Sequence, residues 1–323
     1  MVNSPSQNTD NEAEVTFPIV GIGASAGGLE AYSDLLQALP IDTGMVFVLI
    51  QHLSPDSPSM LSEILSRVTE MPVVEATQDL QVQPNHIYII PANARMTIED
   101  DRLQLAPREA SQQKFMPIDV FFKSLSSRYR NRAIGIVLSG LDGDGAAGLK
   151  TIKQAAGITF AQTENTAQYS DMPNTAVETG YVDFILPPAE IAHKLASIAQ
   201  HPYLTDDSEQ PPQSPTGEPP RETGLPLVYS LLKTATGVDF TQYKRTTFER
   251  RLRRRMALYR LNTIEAYAER LQNDPAEVKA LYRDVLITVT SFFRDPETFV
   301  FLKESIFPSL IEQREPMPLF ACG

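Results

Sequence analysis

Cysteine is almost absent from this sequence, whose 323 residues include only Cys322. A single cysteine excludes an internal disulfide framework, and neither a CxxC nor an HExxH spacing occurs to suggest zinc. Because 42% of the residues are hydrophobic, the chain can bury a sizeable core without such cross-links. We expect no metal and two globular domains.

The N-terminal segment has neither positive charge nor a long apolar run. Residues 1–14 are polar and acidic, whereas a signal peptide needs a basic start followed by an apolar stretch. A membrane span would need about 20 apolar residues. We therefore expect a cytoplasmic protein that does not insert into membranes, with residues 1–15 disordered.

Basic residues are scarce in the first two thirds of the chain. Residues 1–224 carry 13 Lys and Arg against 28 Asp and Glu, whereas residues 225–323 carry 15 against 12. This asymmetry favours two modules with different partners. Between them, residues 201–226 are dense in Pro, Ser, Thr and acidic residues, so they cannot form a packed core. We interpret this segment as a linker, since a structureless loop of that length is uncommon inside a compact domain.

Short apolar runs alternate with helical patterns through residues 16–200. The predicted strands are 19–22, 45–50, 73–76, 86–90, 134–138, 158–161 and 184–186, and the predicted helices are 29–39, 59–68, 118–129, 145–156 and 189–198. This alternation predicts a doubly wound α/β fold with a mainly parallel sheet. Residues 96–105 instead predict a β-hairpin that turns at Asp100 and Asp101 and forms an antiparallel annex.

The glycine-rich segment VGIGASAGGLEA, residues 20–31, fits two motifs. A GxGxxA pattern from Gly21 matches a loose dinucleotide fingerprint, and a GxSxG pattern centred on Ser25 matches a turn that exposes a nucleophilic serine. A dinucleotide site needs an acidic residue at the end of the next strand to bind the ribose. His52 stands there instead, where Ser25 would need a general base. The sequence favours a hydrolase, with a nucleotide-binding protein as the alternative.

Three reactive side chains follow three predicted strands. Ser25 follows the first strand, His52 the second, and Asp144 the strand at 134–138. Ligand sites of parallel sheets lie beyond the carboxyl ends of the strands, so a hydroxyl, an imidazole and a carboxylate are expected at one edge. Each residue alone could be structural, as a helix cap or a polar loop residue. The prediction depends on their joint placement.

Residues 17–198 resemble the catalytic domain of the CheB family, the protein-glutamate methylesterases of bacterial chemotaxis, which also deamidate receptor glutamines. The segments GIGASAGGLEA, QHLSPDSPSML, PNHIYIIPA, IGIVLSGLDGDGAAGL and DMPNTAVETGYVD occur in the family's order. The resemblance implies that Ser25 is the nucleophile, His52 the general base and Asp144 the carboxylate that orients the imidazole. It also implies a glutamate γ-methyl ester on a chemoreceptor or similar sensory protein as substrate, and no cofactor.

An oxyanion formed in such a reaction needs preset donors, which we expect among the backbone N–H groups at Ala26, Gly27 and Leu141. Leu141-Asp142 departs from the family pattern, where a Met-Gly pair is commoner. Asp142 therefore competes with Asp144 for the orienting role, although the DGAAG segment aligns with Asp144. Because only residues 1–15 precede the first module, the receiver domain of many family members is expected to be absent.

The second module, residues 227–310, has a wholly helical pattern. One predicted helix carries apolar residues at helical spacing and leaves a group of arginines outside the apolar stripe, namely Arg250, Arg251, Arg253, Arg254 and Arg255. The ordinary interpretation is a solvated helix face. Five arginines in six residues repel one another, however, which favours an anionic partner. An acidic protein surface suits this acidic chain better than nucleic acid does, so we expect no nucleic-acid partner.

This module resembles the N-terminal helical domain of the CheR family, the protein-glutamate methyltransferases, through its arginine-rich helix and its FFRDPETF stretch. The resemblance implies a receptor-docking role and places Arg294 near S-adenosylmethionine. The nucleotide-binding sheet of that family is expected to begin in residues 311–323, where this sequence ends. We therefore expect S-adenosylmethionine binding and methyltransferase activity only from a complete methyltransferase half.

Two functions from different classes follow from these patterns. The first is a protein-glutamate methylesterase, with or without glutaminase activity, that carries a receptor-docking helical appendage. The second is a catalytically inactive scaffold of a sensory complex that binds through the arginine-rich helix.

Overall fold

Short apolar segments of the first module form the strands of a central parallel sheet. The computed structural model describes residues 17–52, 60–108, 115–205 and 224–286. Their strands are β1 (Ile19–Ala24), β2 (Val46–Gln51), β3 (Val73–Glu75), β4 (Leu80–Gln81), β5 (Ile87–Ile89), β6 (Ala94–Glu99), β7 (Arg102–Pro107), β8 (Ala133–Val137), β9 (Ile158–Gln162) and β10 (Phe184–Leu186). Seven of them form one sheet in the order β10-β9-β8-β1-β2-β5-β3. Every pairing in this sheet is parallel, which confirms the predicted doubly wound fold.

Helices cover both faces of the sheet because strand side chains point alternately to opposite sides. The helices of this module are α1 (Gly28–Ala38), α2 (Leu61–Leu65), α3 (Pro117–Tyr129), α4 (Ala146–Gln154), α5 (Asp171–Glu178), α6 (Pro188–Ile198) and α7 (Pro202–Thr205). Val20 and Ile22 of β1 pack with buried residues of α1 and α6. Ile19, from the same strand, packs with buried residues of α3 and α4 on the other face.

Two glycines of β1 account for the GxG pattern in the glycine-rich segment. An added Cβ at Gly21 would lie 2.8 Å from Phe122 Cε1, and one at Gly23 would lie 2.5 Å from Ile118 Cγ2. Phe122 and Ile118 both belong to α3, so these glycines let α3 pack closely on the central strand. Helix packing therefore explains them without a bound phosphate, which weakens the dinucleotide interpretation.

The antiparallel annex is present where the sequence predicts it. β6 and β7 pair as a hairpin, and β4 joins β7 to complete a three-stranded sheet. Asp100 and Asp101 have φ values of 45° and 60°, the left-handed conformation that a two-residue hairpin turn of type I′ requires at both positions. Sequence analysis missed β4, which has only two residues, and α5, whose Pro173 in the first turn interrupts a helical pattern.

The predicted linker bounds are wrong at both ends. Leu204 is fully buried in the core of the first module, and the Tyr203 hydroxyl donates a 2.6 Å hydrogen bond to the carbonyl of Ala156. The chain therefore stays packed on this domain through α7. Helix α8 (Gly224–Thr236) begins the second module three residues earlier than expected. The predicted disordered segment 1–15 lies outside the described residues.

Four helices make up the described part of the second module. They are α8, α9 (Arg245–Leu258), α10 (Ile264–Asn273) and α11 (Pro275–Leu286), and they enclose a core that includes Phe248, Leu252 and Tyr267. This arrangement confirms a small all-α domain. Residues 287–310, which the sequence assigns to the same domain, and residues 311–323 lie outside the described structure. None of the helices that the structure describes has the length and hydrophobicity to cross a membrane.

Candidate active site

The three predicted catalytic side chains follow neighbouring strands in the middle of the sheet. β1 pairs with β2 on one side and with β8 on the other, so the carboxyl ends of these strands lie together. Ser25 directly follows β1, His52 directly follows β2, and Asp144 lies in the connection from β8 to α4. The structure thus brings all three residues to the same edge of the sheet, as the strand pattern predicts.

Ser25 lies in a tight turn between β1 and α1. Its N–H donates to the carbonyl of Ser139, and its own carbonyl accepts from the N–H of Gly28, each at 2.9 Å. Gly27 precedes the helix with φ of 71°, and an added Cβ there would lie 2.7 Å from Ser139 Oγ. Glycine is required at position 27 for both reasons. This turn directs the chain from strand to helix and places Ser25 at the helix N-terminus.

His52 lies between two carboxylates. Its Nε2 is 2.8 Å from Asp144 Oδ2, and its Nδ1 is 3.3 Å from Asp142 Oδ2. Burial by itself lowers the pKa of His52, but the hydrogen bond to Asp144 and the charges of Asp142 and Asp144 outweigh it and raise this pKa above its ordinary value of 6.5. In this arrangement the imidazole makes no hydrogen bond to the Ser25 hydroxyl among the contacts of the described residues.

Asp144 is fully buried and accepts several hydrogen bonds. The N–H groups of Ile118, Asp119 and Gly145 each donate to its carboxylate at 2.9 Å. Two of these donors lie in the first turn of α3, where the helix dipole also favours a negative charge. These bonds fix the carboxylate beside His52 Nε2, which suits it to orient an imidazole.

Ser25 and His52 line one cavity of about 640 Å³. Residues 26–30 at the start of α1 form one wall, and Gln51 and Gln168 complete the lining. This volume is within the range of small-molecule sites in proteins. Sequence analysis did not single out the two glutamines. Gln51 is adjacent to His52 and could have been suspected, but no spacing in the sequence predicts the approach of Gln168.

The predicted oxyanion donors fall into two groups. Ala26 and Gly27 line the cavity, and their N–H groups donate to no acceptor among the described residues. These two amides are therefore available to a ligand. Leu141 is 57% exposed and does not line the cavity, so the expectation that its N–H faces the substrate is not supported by this arrangement.

Three of the five predicted partner-binding arginines are buried within the chain. Arg251 and Arg254 are fully buried, and Arg255 is 7% exposed. The expectation that these three bind an external anionic partner is therefore wrong. The physical reason is that carboxylates and carbonyl groups of this same chain surround the polar side of the helix.

The buried arginines join the two domains and brace the helical one. Arg254 pairs with Asp183, which precedes β10, and with Asp284 of α11. Arg251 donates to the carbonyls of Lys153 and Gln154 at 2.8 and 2.7 Å. Arg255 donates to Glu277, Arg253 lies 3.9 Å from Glu249, and Arg250 is half-buried. Arg253 and Arg250 alone keep part of their surface for a partner.

The residue assigned to S-adenosylmethionine by resemblance, Arg294, lies outside the described residues. The described residues therefore include no site for that group. The described residues also contain no group of three or more His, Cys, Asp or Glu side chains placed to hold a metal ion.

Comparison with known families gives two matches along the chain. A family model described as CheB methylesterase matches residues 20–195, and one described as CheR methyltransferase, all-alpha domain, matches residues 225–286. These ranges correspond to the two domains of the structure.

Individual relatives cover the chain to different extents. A putative protein-glutamate methylesterase/protein-glutamine glutaminase of Leptospira interrogans is 31% identical over 188 residues, which are 58% of this chain and 97% of that protein. An uncharacterized 104.1 kDa protein of Rhodobacter capsulatus is 32% identical over 271 residues, which are 78% of this chain and 28% of that protein. This chain therefore spans less than a third of the Rhodobacter protein.

A solved structure supports the same assignment. The Thermotoga maritima CheB methylesterase catalytic domain aligns with a TM-score of 0.53 and 26% identity, over 57% of this chain and 100% of that one. The alignment extends the likeness from sequence motifs to the arrangement of strands and helices. With the CheB model covering more than half of the sequence, this chain belongs to the CheB methylesterase family, and a CheR-type all-alpha domain follows its methylesterase domain.

Proposed function

We propose that this chain hydrolyses glutamate γ-methyl esters in proteins by a Ser-His-Asp mechanism. The observation that supports this best is the cavity shared by Ser25 and His52, with Asp144 buried behind the imidazole. Relatives from Leptospira interrogans and Myxococcus xanthus bear the name protein-glutamate methylesterase/protein-glutamine glutaminase. That name indicates the substrate class, a side-chain methyl ester or primary amide.

In the first half of the reaction, Ser25 Oγ attacks the carbonyl carbon of the ester while His52 takes the hydroxyl proton. The N–H groups of Ala26 and Gly27, two residues that line the cavity, stabilise the negative charge that develops on the carbonyl oxygen. Collapse of this intermediate breaks the bond to the methoxy group, and His52 returns the proton so that methanol leaves. An acyl-enzyme on Ser25 remains.

In the second half, water attacks the acyl carbon while His52 takes one of its protons. The bond to Ser25 Oγ then breaks, the proton returns to Oγ, and a glutamate side chain is released. A glutamine side chain would follow the same course with ammonia as the leaving group. Asp144 keeps one ring nitrogen of His52 protonated and oriented throughout.

The alternative of an inactive scaffold that binds through its arginine-rich helix has less support. Arg251, Arg254 and Arg255 are buried and bound within the chain, so this helix lacks most of the cationic surface that such a scaffold would use. We propose a methylated sensory protein as the partner of the cavity itself, and the cytoplasm as the place where the two meet.

Hydrolysis of a defined ester tests this proposal. The purified chain is mixed with a helical peptide that carries a glutamate γ-methyl ester, and released methanol is measured. We expect release by the wild-type chain and a loss of at least about 10³-fold in Ser25→Ala, because no other nucleophile replaces the hydroxyl. A serine-reactive phosphonate followed by peptide mapping should modify Ser25.

A matched control keeps the result specific to the cavity. Ser66 is an exposed serine that bonds the carbonyl of Ser62 on α2, so Ser66→Ala should hydrolyse the peptide at the wild-type rate. Equal methanol release by wild type and Ser25→Ala would overturn the proposal, and so would phosphonate labelling at another serine.

A further inference from the structure

The imidazole of His52 has a carboxylate at each ring nitrogen. Asp144 Oδ2 is 2.8 Å from Nε2, and Asp142 Oδ2 is 3.3 Å from Nδ1. A neutral imidazole carries one N–H and one lone pair, so it can donate to only one of these oxygens. An imidazolium carries two N–H groups and can donate to both. The observed arrangement therefore suits the protonated ring.

Asp142 is held in this position by a hydrogen bond from the backbone two residues further along the chain. Its Oδ1 accepts a 2.9 Å hydrogen bond from the N–H of Asp144, an Asx-type turn that leaves Oδ2 facing His52. The two carboxylates differ in exposure, since the Asp142 side chain is 33% exposed and the Asp144 side chain 0%. The contact with Asp142 is thus the one that solvent and salt can reach.

A protonated ring in this orientation cannot serve as the general base. Both nitrogens carry hydrogen, and the Ser25 hydroxyl forms no hydrogen bond with either among the described contacts. When the ring loses the proton on Nδ1, the lone pair there faces the negatively charged Asp142 oxygen and is repelled by it. The contact with buried Asp144 persists, so the ring is free to turn Nδ1 away from Asp142.

We propose that Asp142 is a positioning residue that holds protonated His52 in a resting orientation in which neither ring nitrogen can accept the Ser25 proton. Deprotonation releases the ring from Asp142 and makes a nitrogen available to Ser25. The inference rests on the proposed esterase function for its kinetic consequences, but the contact itself can be measured without a substrate.

Two further charged groups lie near the ring among the residues that the structure describes. Arg108, which directly follows β7, opposes protonation of His52, and Glu30 of α1 lines the same cavity. The charges of Asp142 and Asp144 outweigh Arg108 and the effect of burial, so the pKa of His52 is raised. Because this pKa is raised, the acidic limb of the activity profile should have its midpoint above 6.5.

The first test measures the pKa of His52 by NMR. Histidine Cε1–H resonances are followed from pH 5 to pH 9 in the full chain, and His52→Gln identifies the resonance. Asp142→Asn keeps an oxygen for the N–H of Asp144 and removes the charge. We expect it to lower the pKa of His52 by about one unit, as loss of one nearby opposite charge does.

The second test measures ester hydrolysis over the same pH range. With the proton held less tightly, the acidic limb of kcat/KM in Asp142→Asn should move to lower pH by the same amount. At a pH one unit below the wild-type midpoint, kcat/KM should then rise about fivefold, whereas at pH 9 it should stay within about twofold of wild type. Asp142→Gly, which removes the side chain altogether, should shift the limb in the same direction.

Controls separate this proposal from a general charge effect. Asp34 is an exposed carboxylate on α1 without contact to His52, so Asp34→Asn should leave both the pKa and the acidic limb unchanged. In the wild type, 1 M salt should lower the pKa of His52, and in Asp142→Asn the same salt should have a smaller effect, because the buried Asp144 contact is screened less.

The outcomes are distinguishable. An unchanged pKa of His52 in both Asp142 variants overturns the proposal, and a loss of activity at every pH overturns it by making Asp142 the orienting carboxylate in place of Asp144. If the pKa falls as expected but the wild type hydrolyses no ester, the positioning role is supported and the proposed function fails.

Discussion

At the scale of single residues, Asp144 and Asp142 show how two nearby carboxylates acquire different environments. Asp144 is fully buried and accepts three backbone hydrogen bonds in addition to its contact with His52. Asp142 is partly exposed and accepts one. Because more backbone donors surround its carboxylate, Asp144 contributes more to the stability of the fold than Asp142 does, although both are aspartates.

Substitution of Asp144 should therefore reduce both activity and stability. In Asp144→Asn an amide N–H₂ replaces one acceptor oxygen and meets a backbone N–H of α3 or of Gly145, which leaves buried donors unpaired. We expect the free energy of unfolding to fall by about 1–3 kcal/mol in urea denaturation. We also expect kcat to fall by about 10³- to 10⁴-fold, since the orienting charge is lost.

Asp142→Asn supplies the comparison for this residue. At neutral pH it should lose less than about 1 kcal/mol of stability, because only a partly exposed charge pair with His52 is removed and its oxygen still accepts from the N–H of Asp144. A stability loss in Asp142→Asn equal to that in Asp144→Asn would contradict the distinction drawn between the two carboxylates.

At the scale of elements, α4 connects the candidate active site with the helical domain. Asp144 and Gly145 immediately precede its first turn, and Arg251 of α9 donates to the carbonyls of Lys153 and Gln154 at its end. The carbonyl of Lys153 also accepts a 3.1 Å hydrogen bond from the N–H of Ala156. A cation at a helix C-terminus interacts favourably with the helix dipole. Burial and the neighbouring Arg254 charge lower the pKa of Arg251 to about 10, so it remains charged at neutral pH.

Removal of this contact should destabilise the protein through α4. Arg251→Met keeps an unbranched apolar side chain but removes the guanidinium donors to both carbonyls, so the Lys153 carbonyl retains only the N–H of Ala156. We expect a loss of about 2–4 kcal/mol in the free energy of unfolding, measured by denaturation in urea. Arg253→Met, on the same helix but partly exposed, should lose less than about 1 kcal/mol. Equal losses would argue against a specific role of the α4 end.

At the scale of the whole molecule, a buried ionic cluster holds the two domains against each other. Arg254 links Asp183 of the methylesterase domain to Asp284 of the helical domain, and Lys153 of α4 lies 3.0 Å from Asp183. Every one of these side chains is nearly or completely buried. Removing one member leaves the remaining buried charges less well compensated, which costs more than the intact cluster contributes.

Loss of Arg254 should separate the unfolding of the two domains. In Arg254→Ala, Asp183 and Asp284 lose their shared partner, and Lys153 at 3.0 and 3.8 Å remains near both carboxylates. We expect a loss of up to about 3–5 kcal/mol in the free energy of unfolding. Calorimetry should show one transition for the wild type and two for the variant, with the helical domain unfolding at the lower temperature. One unshifted transition in Arg254→Ala would show that the cluster does not join the domains.

The same cluster predicts how stability depends on acid. Burial alone would raise the pKa of Asp183, but the charges of Arg254 and Lys153 outweigh it and hold this pKa below its usual range. A carboxyl group of this kind stabilises the folded protein above its unfolded pKa, near 4, and its contribution is lost as the pH falls further. Between about pH 5 and pH 2, the free energy of unfolding should therefore fall more steeply for wild type than for Asp183→Asn, as measured by urea denaturation at each pH.

Local patterns in the sequence determined the parallel sheet, the hairpin and the edge at which Ser25, His52 and Asp144 meet. Strand and helix periodicity are properties of neighbouring residues, and the direction of parallel strands then places their carboxyl ends together. The turn at Asp100 and Asp101 could be predicted for the same reason, because a two-residue hairpin turn depends on the conformation of adjacent residues. The helical part of the second domain could also be predicted for this reason, although its last part lies outside the described residues.

Only the tertiary structure decided the surroundings of charged groups. Helical spacing placed the arginines off the apolar stripe, but it could not show that Asp183, 71 residues from Arg254, would face them. Nor could it show that Asp142 and Asp144 would lie at opposite nitrogens of His52. Charge interactions act between groups that folding brings together from distant parts of the chain. The pattern of one segment therefore shows which residues are polar, and the assembled fold decides which groups they bind.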